Sequence, residues 1–148
     1  MRHRLLLPPA LAMFGALLAA PVPQTVSAQV PAGPPLVNVA RLDYGLKARA
    51  LADGVYVVEG ANADFTPANG CNIINTGFIV TGDGVVVINT GPSRLYGEQQ
   101  RRAIERITRE PVRRVIALNL HPDYFFGNQA WADRPTQALA GSVAGMQA

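Results

Sequence analysis

The sequence predicts an α/β fold in which a β-hairpin is followed by a strand–helix–strand unit. The hairpin is indicated by the Asp83-Gly84 pair between two apolar runs, because both residues tolerate the positive φ angles of tight hairpin turns. After Pro92 the hydrophobic spacing changes from that of a strand to that of a helix, and another apolar strand follows. This order predicts two parallel strands joined by a right-handed crossover.

Residues 1–28 have the pattern of a cleavable signal peptide. Two arginines precede an apolar run at residues 5–20, and the small residues Val26 and Ala28 come before a cleavage site ahead of Gln29. The run is shorter than a membrane span requires and is interrupted by two prolines. An uncleaved N-terminal anchor is the alternative. The sequence therefore predicts a periplasmic or secreted protein.

The part that follows the signal peptide is a nearly neutral chain of single-domain size. Of 148 residues 120 remain, with 11 of the 13 basic residues against 10 acidic ones. This balance does not support a nucleic-acid-binding surface. Residues 29–50 are expected to form a Pro/Ala-rich tether and an irregular lead-in, with a short strand as an alternative in the second part. Residues 51–148 constitute the predicted domain.

Reactive side chains are scarce. Cys71 is the only cysteine, so no disulfide can form within the chain. We interpret it as a small buried residue, with a reactive or intermolecular thiol as the alternative. His121 is the only histidine after the signal peptide, which limits every catalytic hypothesis.

Four strands are expected in the domain. They are residues 55–58, 72–80, 85–88 and 112–118. The first is a compact β-branched and aromatic run, and the second and third form the hairpin around residues 81–84. The last strand is apolar from Val115 to its end at Leu118, and we expect these residues to be buried on both faces.

The segment between Pro92 and Pro111 predicts an amphipathic helix. Ser93 is the expected N-cap, and Pro111 is expected to end the helix. Residues with helical spacing form one face; they are Leu95, Gln100, Ala103, Ile104 and Ile107. The arginines between Arg94 and Arg114 are interpreted as a solvated face interleaved with glutamates, with an anion-binding patch as the alternative.

A candidate site follows the last strand, because chemistry in open α/β folds collects at the carboxyl ends of strands. His121 and Asp123 lie two residues apart there and supply the nitrogen and oxygen donors that zinc accepts. A hydrogen-bonded structural pair is the alternative interpretation.

These residues resemble the N-terminal half of the metallo-β-lactamase superfamily. The resemblance rests on residues 84–91 (Gly-Val-Val-Val-Ile-Asn-Thr-Gly), on His-Pro-Asp at residues 121–123 and on Gly-Asn at residues 127–128. Residues 64–70 (Asp-Phe-Thr-Pro-Ala-Asn-Gly), with Asn72, further resemble the exported branch called quinoprotein relay system zinc metallohydrolases. The resemblance covers about residues 51–131 and implies the N-terminal half of a four-layer αββα sandwich.

The resemblance also implies a metal loop. In the superfamily this loop reads His-x-His-x-Asp-His and holds one or two zinc ions, which lower the pKa of a bound water. His121 matches the second histidine and Asp123 the aspartate, so both are candidate zinc ligands and Asp123 is the candidate catalytic residue. Asn119 and Tyr124 occupy the first and third histidine positions. Asn89 replaces an aspartate that braces the loop, and the carboxylate that would orient it is therefore missing.

The resemblance thus implies an exported zinc hydrolase-like protein with a degenerate metal loop. Because the family takes further ligands from a second half of the fold, and this chain reaches Ala148 without another histidine, we expect a truncated chain that binds zinc weakly and is inactive alone. A catalytically silent module that contacts a periplasmic quinoprotein, or a fragment without function, is the alternative. The small-molecule substrate is not indicated. Self-association through an uncovered sheet is expected.

Overall fold

A computed structural model describes residues 38–147, which form a six-stranded sheet with helices. The predicted signal peptide and the first part of the predicted tether lie outside the described residues. The elements are a 3-10 turn (Val39–Arg41), β1 (Ala48–Ala52), β2 (Val55–Val58), β3 (Thr76–Val80), β4 (Val85–Ile88), α1 (Arg94–Glu105), β5 (Val112–Ile116), α2 (Pro122–Phe125), a second 3-10 segment (Phe126–Trp131), β6 (Thr136–Gln137) and α3 (Ala140–Gln147). No helix in the described range has the length and apolar character needed to cross a membrane.

The strands lie side by side in the order of the chain. Strands β1 to β4 are antiparallel neighbours, whereas β4–β5 and β5–β6 are parallel pairs. The hairpin turn between β3 and β4 closes with a 3.0 Å hydrogen bond from Thr81 N–H to the Gly84 carbonyl, and Gly82 and Gly84 have φ angles of 82° and 133°. The predicted mixed α/β architecture, the hairpin and the parallel strand–helix–strand unit are confirmed.

One face of the sheet forms the core beneath α1. Tyr56, Phe78, Val87 and Val115 are paired across β2 to β5 and therefore project from this face. Phe78, Val87 and Val115 are at most 1% exposed. The Tyr56 and Phe78 rings stack with centroids 4.8 Å apart. Helix α1 contributes its own buried residues, which include Tyr96, Gln100, Ala103 and Ile104.

The opposite face of the sheet is apolar but only partly covered. Its members follow from the same cross-strand pairing and are Val55, Val57, Ile79, Val86, Ile88 and Ile116. None of them falls in the buried class, and Ile79 is 37% exposed. This surface of six β-branched residues is hereafter called the open face. Because contiguous exposed apolar surface promotes association, the open face is available for contact with another layer of protein.

Helix α1 begins where the sequence predicts and ends earlier. Ser93 is the N-cap, and its hydroxyl accepts a hydrogen bond from Tyr96 N–H at 3.1 Å. The helix stops at Glu105 instead of continuing to Pro111. After Glu105 the chain makes a turn in which Ile107 and Thr108 N–H both donate to the Ile104 carbonyl, at 2.9 and 3.0 Å. The Glu110 carboxylate then accepts hydrogen bonds from Gly82 and Gly84 N–H at 3.1 and 2.9 Å. The chain therefore crosses to the β3–β4 hairpin instead of making another helical turn.

Two strand predictions also need correction. β3 begins at Thr76, not at residue 72, because the preceding segment contains turns and Cys71 has a φ of +63°. Cys71 is half-buried, so the prediction of a buried thiol was wrong. β5 ends at Ile116, and Leu118 is 59% exposed although burial was expected. That expectation assumed protein on both faces, and among the described residues the open face is only partly covered.

We predict that the chain associates with itself through the open face. The substitution Ile79→Lys places a charge on this face and should shift a dimer or larger species toward monomer in sedimentation-velocity measurements. Ile107→Lys is the matched control, because Ile107 is 39% exposed and is not a member of the open face. A monomeric, cooperatively melting wild-type chain, or equal dissociation by both substitutions, would contradict this prediction.

Candidate functional site

The loops that follow β4 and β5 meet at one edge of the sheet. Because β4 and β5 are parallel neighbours, their carboxyl ends lie side by side. The loop after β4 consists of residues 89–91, and the segment after β5 runs through residues 117–128. His121 and Asp123 belong to the second segment, at the position that the sequence predicts for a site.

Asn89 joins the two loops. It is 3% exposed and adopts a left-handed φ of +55°, which asparagine tolerates better than most residues with a side chain. Its N–H donates to the Ile116 carbonyl at 2.8 Å, and its side-chain Oδ1 accepts from Leu118 N–H at 3.0 Å. The Asn89 carbonyl accepts from the buried Gln100 side chain at 3.0 Å. The amide of Asn89 therefore still braces the loop, although we expected the missing carboxylate to leave it without orientation.

Thr90 and Gly91, which follow Asn89, make further hydrogen bonds to the segment after β5. Thr90 N–H donates to the Tyr124 carbonyl at 2.9 Å, and its hydroxyl donates to the Asn128 Oδ1 at 2.8 Å. Gly127 N–H donates to the Gly91 carbonyl at 2.9 Å. A Cβ atom at Gly127 would lie 1.9 Å from the Thr90 carbonyl oxygen, so only glycine fits at this contact.

Tyr96 of α1 packs against the loop that follows β4. A Cβ atom at Gly91 would lie 2.1 Å from the Tyr96 ring, so the glycine lets the backbone rest directly on the ring. The Tyr96 hydroxyl is paired with the Thr76 hydroxyl at 2.9 Å. Burial raises the pKa of Tyr96 from 10.0 to about 12, so the phenol is neutral at physiological pH. It acts here as a packed, hydrogen-bonded support.

His121 lies at the exposed start of α2. Its N–H donates to the side-chain Oδ1 of Asn119 at 3.1 Å, and its carbonyl accepts from Tyr124 N–H at 2.9 Å. The first contact is an Asx turn, in which a short polar side chain mimics a backbone turn. Asn119 therefore has a structural task that a histidine at the same position would not perform in this way. The imidazole is left accessible to solvent.

Asp123 occupies the first turn of α2 and is 7% exposed. The structure thus places the two predicted ligands on one short loop but in different surroundings, one accessible and one buried. Tyr124 is half-buried, and its backbone carbonyl is bonded to Thr90. Within residues 38–147 no three His, Cys, Asp or Glu side chains come together as a metal site. The described residues therefore do not fit a catalytic zinc ion, which needs about three protein donors and an open position.

The sequence pattern does not indicate the residues that position the site. Gln100 was assigned to the helix face by its spacing, but its bond to the Asn89 carbonyl could not be read from that spacing. An amide at a buried helix position is the signal that could have indicated such a contact, because buried polar groups are generally hydrogen-bonded. The bond between Thr90 and Asn128 joins residues 38 positions apart and had no sequence signal.

The chain resembles known proteins in sequence and in fold. Residues 69–144 match the model of the metallo-beta-lactamase superfamily. No protein with a curated function matches the chain.

Similar solved structures are metallo-beta-lactamases. The enzyme from Hirschia baltica has a TM-score of 0.58 at 22% identity, with 69% of this chain and 47% of that chain covered. FIM-1 from Pseudomonas aeruginosa, in its mono-zinc form, has a TM-score of 0.57 at 18% identity, with 69% and 45% covered. The enzyme from Erythrobacter litoralis has a TM-score of 0.56 at 22% identity, with 69% and 45% covered. The chain thus spans about half the length of these structures and shares their fold over that half.

Proposed function

The chain belongs to the metallo-beta-lactamase superfamily, and we propose that it is a zinc hydrolase-like member with a degenerate metal loop. The donor set of the loop after β5 supports this proposal. His121 is the only histidine among the described residues, Asp123 is buried, and the Asn119 oxygen accepts a hydrogen bond within its own turn. We further propose that residues 38–147 alone hold zinc weakly and do not hydrolyse substrates.

The loop architecture supports the hydrolase ancestry. Hydrogen bonds from Asn89, Thr90 and Gly127 hold the loop after β5 against the loop after β4 without any metal ligand taking part. When zinc is bound in members of this superfamily, it supplies a hydroxide nucleophile at neutral pH. In this chain the same backbone arrangement presents one accessible imidazole.

A catalytically silent module is the second candidate function. The observation that favours it is again Asn89, because its neutral amide maintains the loop where a charged aspartate is the family pattern. A loop that keeps its shape without its ligands can serve as a contact surface. We propose a periplasmic quinoprotein as the partner, and the residue run 64–70 that resembles quinoprotein relay system metallohydrolases supports this choice.

Export is the third part of the proposal and rests on residues 1–28. We predict that the full chain, expressed in a bacterial host, is recovered from the periplasmic fraction with Gln29 as its first residue. N-terminal sequencing is the measurement. Recovery of a membrane-bound form that still begins at Met1 would show that the segment is an anchor.

The metal prediction follows from the number of donors. We expect substoichiometric zinc in the purified chain after dialysis, because His121 and Asp123 supply only two protein donors, in different surroundings. Water would fill the remaining coordination positions, and the ion would be held weakly. Elemental analysis of wild type beside His121→Ala is the measurement. We also expect no hydrolysis of a chromogenic β-lactam or a thioester above background.

A gain-of-ligand variant sharpens this test. Asn119→His with Tyr124→His restores the family's histidine positions, so it should bind zinc at least about tenfold more tightly than wild type, since three or more donors then surround the ion. One tightly held zinc per wild-type chain that is lost in His121→Ala would contradict the proposal of a degenerate loop. Zinc retained equally by wild type and His121→Ala would show that His121 is not a ligand.

A further inference from the structure

Arg102 near the end of α1 and Arg106 at its C-cap line a groove that α1 forms with residues 41–47. The groove has a volume of about 650 Å³ and is open to solvent. Four cationic side chains line it: Arg41, Lys47, Arg102 and Arg106. The first two come from the segment before β1, Arg102 comes from the last turn of α1, and Arg106 is the C-cap of that helix. Asp43 is the only acidic residue in the lining.

Hydrogen bonds fix the two walls of the groove to each other. Gln99 of α1 accepts from Tyr44 N–H at 2.9 Å and donates to the Leu42 carbonyl at 2.7 Å. Arg106 donates to the Leu46 carbonyl at 3.3 Å. The groove is therefore formed before any ligand arrives, which lowers the entropic cost of binding.

The cations of the groove form no ion pairs among the described residues. The ion pairs among residues 38–147 involve Arg49, Arg94, Arg101 and Arg134, and none includes a cation of the groove. Residues 1–37 contain no aspartate or glutamate, so no acidic side chain from that segment can supply the missing charge.

Three of the nearby acidic residues have partners outside the four cations of the groove. The Asp43 carboxylate accepts from Gly45 N–H at 2.9 Å, and the Glu98 carboxylate pairs with Arg94 at 2.9 Å. Glu110 accepts from the β3–β4 hairpin. Glu105 lies beside Arg102 and Arg106 but forms no ion pair with either of them. The prediction of a solvated helix face interleaved with glutamates stays a prediction, and in the groove itself the four cations outnumber the single Asp43.

We propose that this groove binds a phosphate-bearing anion. Guanidinium groups form paired hydrogen bonds with phosphate, and lysine contributes a compact charge. Cations from two separate chain segments suit a tetrahedral group with three or more acceptor oxygens better than a planar carboxylate with two. The phosphate belongs either to a soluble phosphate ester or to a lipid headgroup. The groove is distinct from the loop that carries His121 and is independent of its metal chemistry.

Binding of inorganic phosphate and of glycerol phosphate, measured by calorimetry at low ionic strength, tests the proposal. The double variant Arg102→Gln with Arg106→Gln should weaken binding at least about tenfold, because it removes two of the four cations. Arg41→Gln with Lys47→Gln should weaken it similarly while leaving α1 unchanged. Arg113→Gln with Arg114→Gln removes the same charge from β5 and should leave binding within about twofold of wild type.

Vesicles distinguish the two sources of phosphate. Cosedimentation with phosphatidylglycerol vesicles that is lost in both groove variants, and absent with phosphatidylcholine vesicles, would support a lipid headgroup. Binding of glycerol phosphate without vesicle binding would support a soluble ester. The proposal is overturned if the wild type binds neither probe, or if the β5 control weakens binding as much as the groove variants.

Discussion

The buried side chain of Asn89 accepts a hydrogen bond from Leu118 N–H at the point where β4 ends, and the course of the chain beyond β5 depends on that contact. The left-handed φ of +55° at Asn89 turns the chain away from the strand while its N–H stays bonded to Ile116. An alanine at this position would keep neither the acceptor nor an easy route to this φ. Because Leu118 is partly exposed, losing this hydrogen bond would cost about 0.5–1.5 kcal/mol, which is still a sizeable part of the stability of a small domain.

The remaining contacts between the two loops depend on the turn at Asn89. Because Thr90 and Gly91 come directly after Asn89, the direction of the turn decides where their polar groups meet the loop that contains His121. The close approach of Gly127 to the Thr90 carbonyl leaves no room for a side chain at position 127, so the two loops pack directly against each other there. The loop shape is therefore a property of the backbone and of Asn89, and it does not depend on metal ligands.

The sequence predicts those parts of the fold that depend on neighbouring residues. The Asp83-Gly84 turn, the Ser93 cap and the helix–strand order are local features, and all are confirmed. The predicted end of α1 at Pro111 was wrong. The helix ends at Glu105, and Glu110 instead accepts hydrogen bonds from glycines 26 and 28 residues away, contacts that helical spacing does not indicate. The predicted burial of Leu118 was wrong, because burial depends on what covers a sheet face. The sequence of the strand itself does not contain that information.

The candidate site likewise has features that the sequence predicts and features that it does not. Its location after β5 could be predicted, since the carboxyl ends of parallel strands are adjacent. The different exposure of His121 and Asp123 could not, because it arises from the short helix α2 and the Asx turn at Asn119. The bracing by Asn89 was underestimated for a chemical reason. A neutral amide oxygen accepts the Leu118 hydrogen bond as a carboxylate would, so the loss of charge does not remove the contact.

Amide hydrogen exchange at Leu118, followed by NMR spectroscopy, tests most directly whether Asn89 holds the loop. Asn89→Gly tolerates the same φ but removes the acceptor, so protection of the Leu118 amide should fall about tenfold while Val87 in the sheet core keeps its protection. Asn89→Asp retains an acceptor oxygen and should preserve protection at Leu118. Unchanged exchange at Leu118 in Asn89→Gly would contradict the account, because the loop would then be held by other contacts.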